Sequence, residues 1–409
     1  MLLTYLTRYY HMERKLGFIF DHNKCIICNA CVDACNKAYG DLNWRSLIVM
    51  THGESKTALS IACNHCDNPT CMQVCPANAI EKNEMGIVRI RDDKCIGCGF
   101  CTWACPYEAL KFNNEGVMSK CHFCYDRLAE GKGIPYCVEA CPTGALAFGW
   151  IEKGEAEVNY LPPSEITKPR IVIKQPESKE TLNASVLHTK KEENYLGLLA
   201  FTIGSEFALG YSLFKLPLWS IVSVILLVAS LLLSVNHARK TDRFYRVIYN
   251  LKTSWLSREV LFSSIAILFY ILSIAEPLFY YPAILFLTVG VISSIMIYML
   301  KSRPSWYNVD TPVSFIGSIF TMSLPIVYFF SHNLTTIIPL IITLVIEIIS
   351  NNRRSNVRMS LNVASIVISL ISIVFPEIII ITEIINIVSE VTHRREFYEK
   401  VVYYGLPKV

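Results

Sequence analysis

Sixteen cysteines, all between Cys25 and Cys141, are the residues of this 409-residue chain whose type and spacing point most directly to chemistry. They form four runs: Cys25, Cys28, Cys31 and Cys35; Cys63, Cys66, Cys71 and Cys75; Cys95, Cys98, Cys101 and Cys105; and Cys121, Cys124, Cys137 and Cys141. In each run a fourth cysteine follows the third after three intervening residues, and three runs close in Cys-Pro. A disulfide framework would need an oxidising compartment. The first twenty residues carry charges where a secretory signal would run unbroken and apolar, so no signal peptide is expected. Cysteines two residues apart also bridge poorly, and the pattern repeats. Metal ligation is the better reading.

The first and third runs have the spacing C-x2-C-x2-C-x3-C that holds iron–sulfur cubanes in bacterial ferredoxins. The second and fourth widen one gap, as if a loop had been inserted. A cubane offers four iron corners. Three can be reached from one tight loop, while the fourth cysteine, on the turn into a helix, ligates the neighbouring cluster. Proline suits that turn because the first helical N–H has no partner to lose. Zinc prefers two C-x-x-C pairs at longer separation. Four runs therefore predict four [4Fe–4S] clusters in an α+β double ferredoxin-like domain over residues 1–178. Spacing alone does not say which runs pair.

The cysteine region, from "KLGFIFDHNKC" to "SKCHFCYDRLAEGKGIPYCVEACPTGALAFG", resembles the four-cluster subunit of the dimethyl sulfoxide reductase family. The resemblance implies that the outer runs pair with each other, and so do the inner ones. Cys25, Cys28, Cys31 and Cys141 would then hold one cluster, and Cys121, Cys124, Cys137 and Cys35 the next. Cys63, Cys66, Cys71 and Cys105 would hold a third, and Cys95, Cys98, Cys101 and Cys75 a fourth. It also implies a wire running from the Cys95 cluster, nearest the membrane, to the Cys25 cluster, nearest a catalytic partner with a molybdenum or tungsten bis-pterin centre. The family-like sequence starts near Met12, so residues 1–11 read as an extension. Residues 161–194 are rich in proline, serine and charge; "KPRIVIK" within them alternates enough to be a short strand or an extended segment packed on the cysteine domain, and residues 179–193 read as a linker.

The elements that must bring electrons to such a wire lie in the second half. From residue 194 the chain is apolar in successive runs: 195–214, 216–235, 259–275, 283–300, 311–331, 334–350, 357–375 and 376–391. Most are long enough to cross a bilayer, which predicts an all-α polytopic bundle of about eight transmembrane helices over residues 194–409. Arg239, Lys240, Arg243, Arg246, Lys252, Arg258, Lys301, Arg303, Arg353, Arg354 and Arg358 fall in alternate connections, with Arg394, Arg395, Lys400 and Lys408 in the tail. The opposite connections hold only Lys215. This bias places the charged side, and with an even helix count the cysteine domain, in the cytoplasm. An extracytoplasmic placement, carried by a twin-arginine partner, is the alternative.

His237 and Glu259 flank the connection between the second and third helices. Quinol oxidation releases protons beside a one-electron acceptor, and a His and a Glu at a membrane surface can take them. The segments 236–259, "PSWYNVDTPVSF" and "EVTHRREFY" resemble the membrane anchor of dimethyl sulfoxide reductase, which implies that His237 and Glu259 bind quinol, of menaquinone type. Two usually separate subunits would be fused here. Glu206, mid-helix, is costly in lipid and suggests function, whereas Glu347 lies near the charged end where water is in reach. His237 and His332 lie at opposite faces, so no haem is expected.

The chain thus reads as a non-catalytic electron-transfer and anchor subunit between membrane quinone and a molybdopterin enzyme acting on a sulfur compound or an S- or N-oxide, as in anaerobic respiration. The net charge of +4 gives no reason to invoke nucleic acid. A stand-alone donor:quinone oxidoreductase coupled to proton translocation is the alternative. Substrate, direction of flow and redox potentials are not encoded in these motifs.

Overall fold

The computed structural model describes residues 14–40, 42–52, 55–176, 184–193, 195–235, 237–351 and 355–408. The expected extension at residues 1–11, and the loop cations Arg353 and Arg354, lie outside the described residues. The chain divides into two compact units, Met1–His188 with Tyr403–Val409, and Thr189–Val402. The segment read as a linker is not wholly irregular, because strand Ser185–Lys190 lies within it.

In the first unit, β1 (Lys15–Asp21) buries every second side chain, with Leu16, Phe18 and Phe20 facing inward. It is the middle of a three-stranded sheet. β8 (Leu146–Ile151) runs antiparallel to it, with Phe18 opposite Phe148, and β9 (Ile171–Lys174) runs parallel, with Phe18 opposite Ile171. Strand β9 is the predicted "KPRIVIK" strand. Because β1 leads into the first cysteine run and β8 leaves the last, this ladder draws the two ends of the cysteine region together. Between them lie three hairpins: β2 (Ser46–His52) with β3 (Ser55–Ile61), β4 (Ile80–Lys82) with β5 (Val88–Ile90), and β6 (Lys111–Phe112) with β7 (Met118–Ser119). Each hairpin joins one cysteine run to the next.

The short helices α1 (Ala30–Tyr39), α2 (Thr70–Gln73), α3 (Phe100–Ala104), α4 (Tyr125–Ala129) and α5 (Tyr136–Glu139) carry or flank the later cysteines of the runs. The loops before them share a backbone signature. The residue two after the first cysteine has positive φ in all four runs: Ile27, His65, Gly97 and Phe123. A second left-handed position follows each Cys-Pro by two residues, at Asn78, Glu108 and Gly144. Only one of the first four positions is glycine, so the loop geometry is imposed on residues that ordinarily avoid it.

The second unit is helical: α6 (Leu196–Leu213), α7 (Trp219–Val235), α8 (Trp255–Ala275), α9 (Tyr280–Tyr298), α10 (Asp310–Thr321), α11 (Leu324–Ser331), α12 (Ile337–Ser350), α13 (Asn356–Ile371) and α14 (Ile379–Glu399). Among the described residues four spans are long and apolar enough to cross a membrane: Leu196–Leu213, Trp255–Ala275, Pro277–Tyr298 and Asp310–Ser331. Trp219–Val235, Leu334–Ser350 and Asn356–Ile371 are shorter apolar helices. The expected helix at 311–331 is two helices, interrupted just before Pro325, whose ring cannot continue the hydrogen-bond ladder. Helices α6 and α7 approach so closely that a Cβ on Gly204 would meet the Ser230 side chain at 2.9 Å. Such contact through small residues is how apolar helices associate in lipid. The outward faces carry exposed Ile, Leu, Val and Phe, including Leu232, Ile349 and Val374.

Candidate functional site

The cysteines stand in four groups of four. Cys25 lies within electrostatic range of Cys28, Cys31 and Cys141. Cys35 has Cys137 and Cys124 beside it, and Cys121 has Cys137. Cys71 neighbours Cys63, Cys66 and Cys105, while Cys101 neighbours Cys75, Cys95 and Cys98. Each group takes three cysteines from one run and the fourth from another, as cubane ligation requires. The groups also follow one another in a row. Cys31 of the first faces Cys137 of the second, Cys121 of the second faces Cys63 of the third, and Cys71 of the third faces Cys101 of the fourth.

Three of these groups line cavities. Cys63, Cys66, Cys71 and Cys105 line one, Cys75, Cys95, Cys98 and Cys101 a second, and Cys35, Cys121, Cys124 and Cys137 a third. At the first group Cys28 is exposed, whereas Cys63, Cys75, Cys95, Cys101, Cys121, Cys124 and Cys137 are buried. Among the described residues no three His, Cys, Asp or Glu side chains converge tightly enough to hold a single metal ion. The sulfurs stand around cavities instead, which suits the corners of a cluster better than one zinc.

The surroundings suit thiolates bound to iron. Backbone N–H groups donate to sulfur from Ala79 to Cys75 at 3.3 Å, Met118 to Cys95 at 3.4 Å and Leu146 to Cys141 at 3.4 Å. Burial still resists ionisation: it pushes the Cys35 and Cys105 thiols each up to about 11, against the lowering effect of backbone N–H groups of Arg45 on the first and of Ala109 and Tyr107 on the second. Cys141 is also raised by burial, but N–H donors led by Leu146 outweigh that and leave it below the ordinary thiol value.

Three buried basic residues that the spacing gave no reason to single out lie among these groups. Arg45 is 1 % exposed, and its electrostatic neighbours are Cys137, Cys121, Cys31 and Cys35. Among the described residues no ion pair joins it to a carboxylate; its Nη1 donates to Ser60 Oγ at 3.0 Å, and its guanidinium lies 4.3 Å from the Phe18 ring. Among the described residues its Nε and Nη2 have no hydrogen-bond partner. Lys120 lines the cavity of the third group and donates to the carbonyls of Val88 and Cys121. His65 stacks on Phe123 at 3.7 Å, and its Nδ1 accepts from the Val88 N–H at 3.0 Å. Burial first, then Lys120, hold its pKa well below the ordinary histidine value, so the ring is neutral.

In the helical unit His237 follows α7 and Glu259 lies in the second turn of α8, at the same end of two packed helices. His237 is half-buried and its Nδ1 donates to the Ser234 carbonyl. Burial lowers its pKa. Glu259 is 5 % exposed and faces Ser294, with Tyr298 and Tyr398 in electrostatic range.

Several residues read as loop or tail cations have another role. Arg303, Arg358 and Arg394 are buried, and each is ion-paired: Arg303 with Glu192, Arg394 Nη2 with Glu206 at 2.8 Å, and Arg358 Nη2 with Glu347 at 3.1 Å. Glu347 does not reach water; it is 1 % exposed and also accepts from Asn362 at 3.0 Å. Glu206 is part of the same interior cluster, through Arg394 and Ser318 to Glu390. A helix-by-helix reading misses this cluster because each helix contributes only one or two of its members.

Residues 55–151 match the family of 4Fe-4S dicluster domains. The chain is 42 % identical over 186 residues to the B subunit of the anaerobic dimethyl sulfoxide reductase of Escherichia coli, covering 40 % of this chain and 90 % of that protein. It is 38 % identical to the corresponding subunit of Haemophilus influenzae, over 39 % of this chain and 89 % of that one. Against the thiosulfate reductase electron transfer subunit PhsB of Salmonella typhi it is 35 % identical, over 36 % and 82 %. Through its cysteine-bearing part, the chain belongs to the family of iron–sulfur subunits of dimethyl sulfoxide reductases.

Proposed function

We propose that the chain carries electrons through four [4Fe–4S] clusters between membrane quinone and a separate molybdopterin catalytic subunit, and that its helical part is the membrane anchor. The observation that carries this reading is the row of four cysteine groups, three lining cavities and the first opening to the surface at Cys28. When bound, such clusters supply successive one-electron carriers at close spacing. The residues of this chain do the rest. They shield the inner groups from water, donate N–H bonds to sulfur, and place a buried cation, Arg45, beside the first two groups.

The anchor crosses the membrane eight times in this reading. The four long spans are joined by the three shorter apolar helices and by α14, in which Glu390, His393 and Arg394 are buried. His237 and Glu259 bind quinol, of menaquinone type, and take its protons while electrons pass to the clusters. The connections between α7 and α8 and between α9 and α10 hold Arg239, Lys240, Arg243, Arg246, Lys252 and Lys301, which favours a cytoplasmic position for that end. The partner acts on a sulfur compound or an S- or N-oxide, as the names of the relatives suggest.

The test is purification of the intact chain from its native membrane, with identification of what accompanies it. A large molybdopterin-type subunit together with four clusters' worth of iron supports the reading. Isolation alone, with quinone activity retained, turns the choice to a stand-alone donor:quinone oxidoreductase. In the intact complex, His237→Ala and Glu259→Gln are expected to slow quinol-driven cluster reduction at least tenfold with iron content unchanged. Wild-type rates in both would remove these residues from the site.

A further inference from the structure

One cavity of the cysteine-bearing unit takes no part in holding a cluster. It opens to the surface beside the exposed Asp92 and Asp126, and among the described residues no cysteine lines it. Its volume is about 390 Å³, within the range of small-molecule sites. Tyr39, Trp44 and His122 line both this cavity and the one around Cys35, Cys121, Cys124 and Cys137. A wall one side chain thick therefore separates it from the second cysteine group, and the Tyr39 hydroxyl lies against the Cys124 sulfur. With the cavities of the third and fourth groups it shares one residue each, Lys120 and Ile90.

The wall is aromatic and its rings are held in place. Tyr39, at the end of α1, stacks on Trp44 with ring centres 5.1 Å apart, and His122 stands edge-on to both at 5.0 and 5.3 Å. Trp44 Nε1 donates to Ser119 Oγ at 3.1 Å, and the Tyr125 N–H donates to His122 Nδ1 at 2.9 Å. Tyr125 adds a fourth ring, covered by the Arg89 guanidinium at 4.8 Å. Among the described lining residues two cations, Arg89 and Lys120, balance two carboxylates, Asp92 and Asp126. Most of this charge is already engaged. Arg89 pairs with Glu81, Lys120 donates to the carbonyls of Val88 and Cys121, and Asp126 accepts from Tyr39 at 3.0 Å. Because His122 Nδ1 accepts, the ring proton sits on Nε2, and no other described residue accepts it. The groups left for a ligand are thus flat rings and a neutral N–H donor. A phosphate or a polycation would find little free countercharge there, whereas an uncharged planar ring with a carbonyl oxygen finds both stacking and a hydrogen bond.

We propose that this cavity is a side port to the wire: a binding site for an uncharged planar aromatic carbonyl carrier, of quinoid or isoalloxazine type, that gives electrons to the second cluster across the Tyr39–Trp44–His122 wall. The port rests on the reading of the second cysteine group as a cluster. The reduced carrier loses two electrons, which enter that cluster one at a time, the first passing along the wire before the second arrives. Its two O–H or N–H protons leave to water at the open mouth, and the carrier becomes the carbonyl form. No bond of the protein forms or breaks. Entry at this point bypasses the third and fourth groups and the quinol site, so a carrier in solution can feed the partner without membrane quinol.

The test uses the intact chain in lipid nanodiscs, with lumiflavin and menadione as probes. Oxidised lumiflavin is expected to bind one per chain, read by loss of its fluorescence. Trp44→Leu should weaken that binding about tenfold, whereas Trp44→Phe, which keeps a ring, should largely restore it. Iron content shows that both variants are folded. Reduced lumiflavin below saturation should reduce the clusters about tenfold more slowly in Trp44→Leu, with the Cys35 centre the first to appear by electron paramagnetic resonance. A reduced-menadione rate that falls in Trp44→Leu assigns a quinoid carrier; one that falls only in Glu259→Gln belongs to the quinol site and overturns the quinoid form. Absence of binding by either probe, or equal binding in Trp44→Leu, overturns the port, and so does protection of residues 119–126 from hydrogen exchange by the partner subunit, which would make the cavity a seat for a partner side chain. Trp44-dependent binding to protein without an iron centre at Cys35, Cys121, Cys124 and Cys137 overturns the wire and the port with it, and leaves only the ring-binding site standing.

Discussion

Arg45 is the strongest single lever on the proposed wire. Its guanidinium is fully buried, has no carboxylate partner among the described residues, and stands next to one sulfur of the first cysteine group and three of the second. A reduced cluster carries one more negative charge than an oxidised one, so a fixed cation beside it favours reduction. A unit charge at about 7 Å, in a medium of effective dielectric about 20, contributes about 2 kcal/mol, or about 100 mV for a one-electron couple. Arg45→Met keeps a long side chain against Phe18 and removes the charge. Replacing a buried ionic group by an apolar one of similar size is often neutral for stability, so the fold is expected to persist. The potential of the centre held by Cys35, Cys121, Cys124 and Cys137 is expected to fall by about 100 mV, and that of the Cys25 centre by about half as much. The two more distant centres should shift little. Redox titration followed by electron paramagnetic resonance, on protein with wild-type iron content, measures all of this. Shifts below about 20 mV at both nearer centres, or shifts of equal size at all four, would refute the argument from proximity.

Three further outcomes follow from the packing and the charge pattern. Arg170 is 3 % exposed and joins the tail to the β1–β8 ladder, donating to Asp67 at 2.6 Å and to the carbonyls of Lys15 at 3.2 Å and Ile151 at 2.9 Å. Arg170→Ala should cost about 3 kcal/mol, read as earlier thermal loss of iron; wild-type retention would show that the tail is not held by this residue. A Cβ on Gly317 would strike the Glu347 carboxyl, so Gly317→Ala should destabilise the helical unit by about 2 kcal/mol without loss of iron, and an unchanged melting temperature in detergent would count against the tight seat of Glu347. Cysteines placed at Lys301 and at Lys215, and read peptide by peptide after labelling intact cells, should be modified from the cytoplasm and from outside respectively; the reverse pattern would overturn the orientation.

How much of this was legible in the sequence depended on whether the information was local. The cysteine runs are local: their spacing named the metal chemistry, and the structure adds the left-handed residue two after each first cysteine, which a spacing rule does not contain. The strand in "KPRIVIK" was visible from its alternation, whereas its parallel pairing with β1 was not, because register depends on a partner about 150 residues away. The pairing of cysteines between runs came from resemblance alone. The structure supplies a physical reason for the outer pair, since the β1–β8 ladder draws Cys25 and Cys141 together.

The interior of the helical unit shows the opposite case. Arg358 and Arg394 lie within two turns of helix ends and look like solvated cations, and Glu347 looks able to reach water, when each helix is read alone. Their meaning is set by helices far away in sequence: Glu206 meets Arg394 across 188 residues, and Asp310 meets Arg358 across 48. No single hydrophobic run contains both partners, so a count of charges per loop assigns to the surface what packing places inside. A charge-bias argument for orientation therefore rests more safely on Arg239, Lys240, Arg243, Lys252 and Lys301, outside the spanning segments, than on the three arginines the bundle has taken into ion pairs.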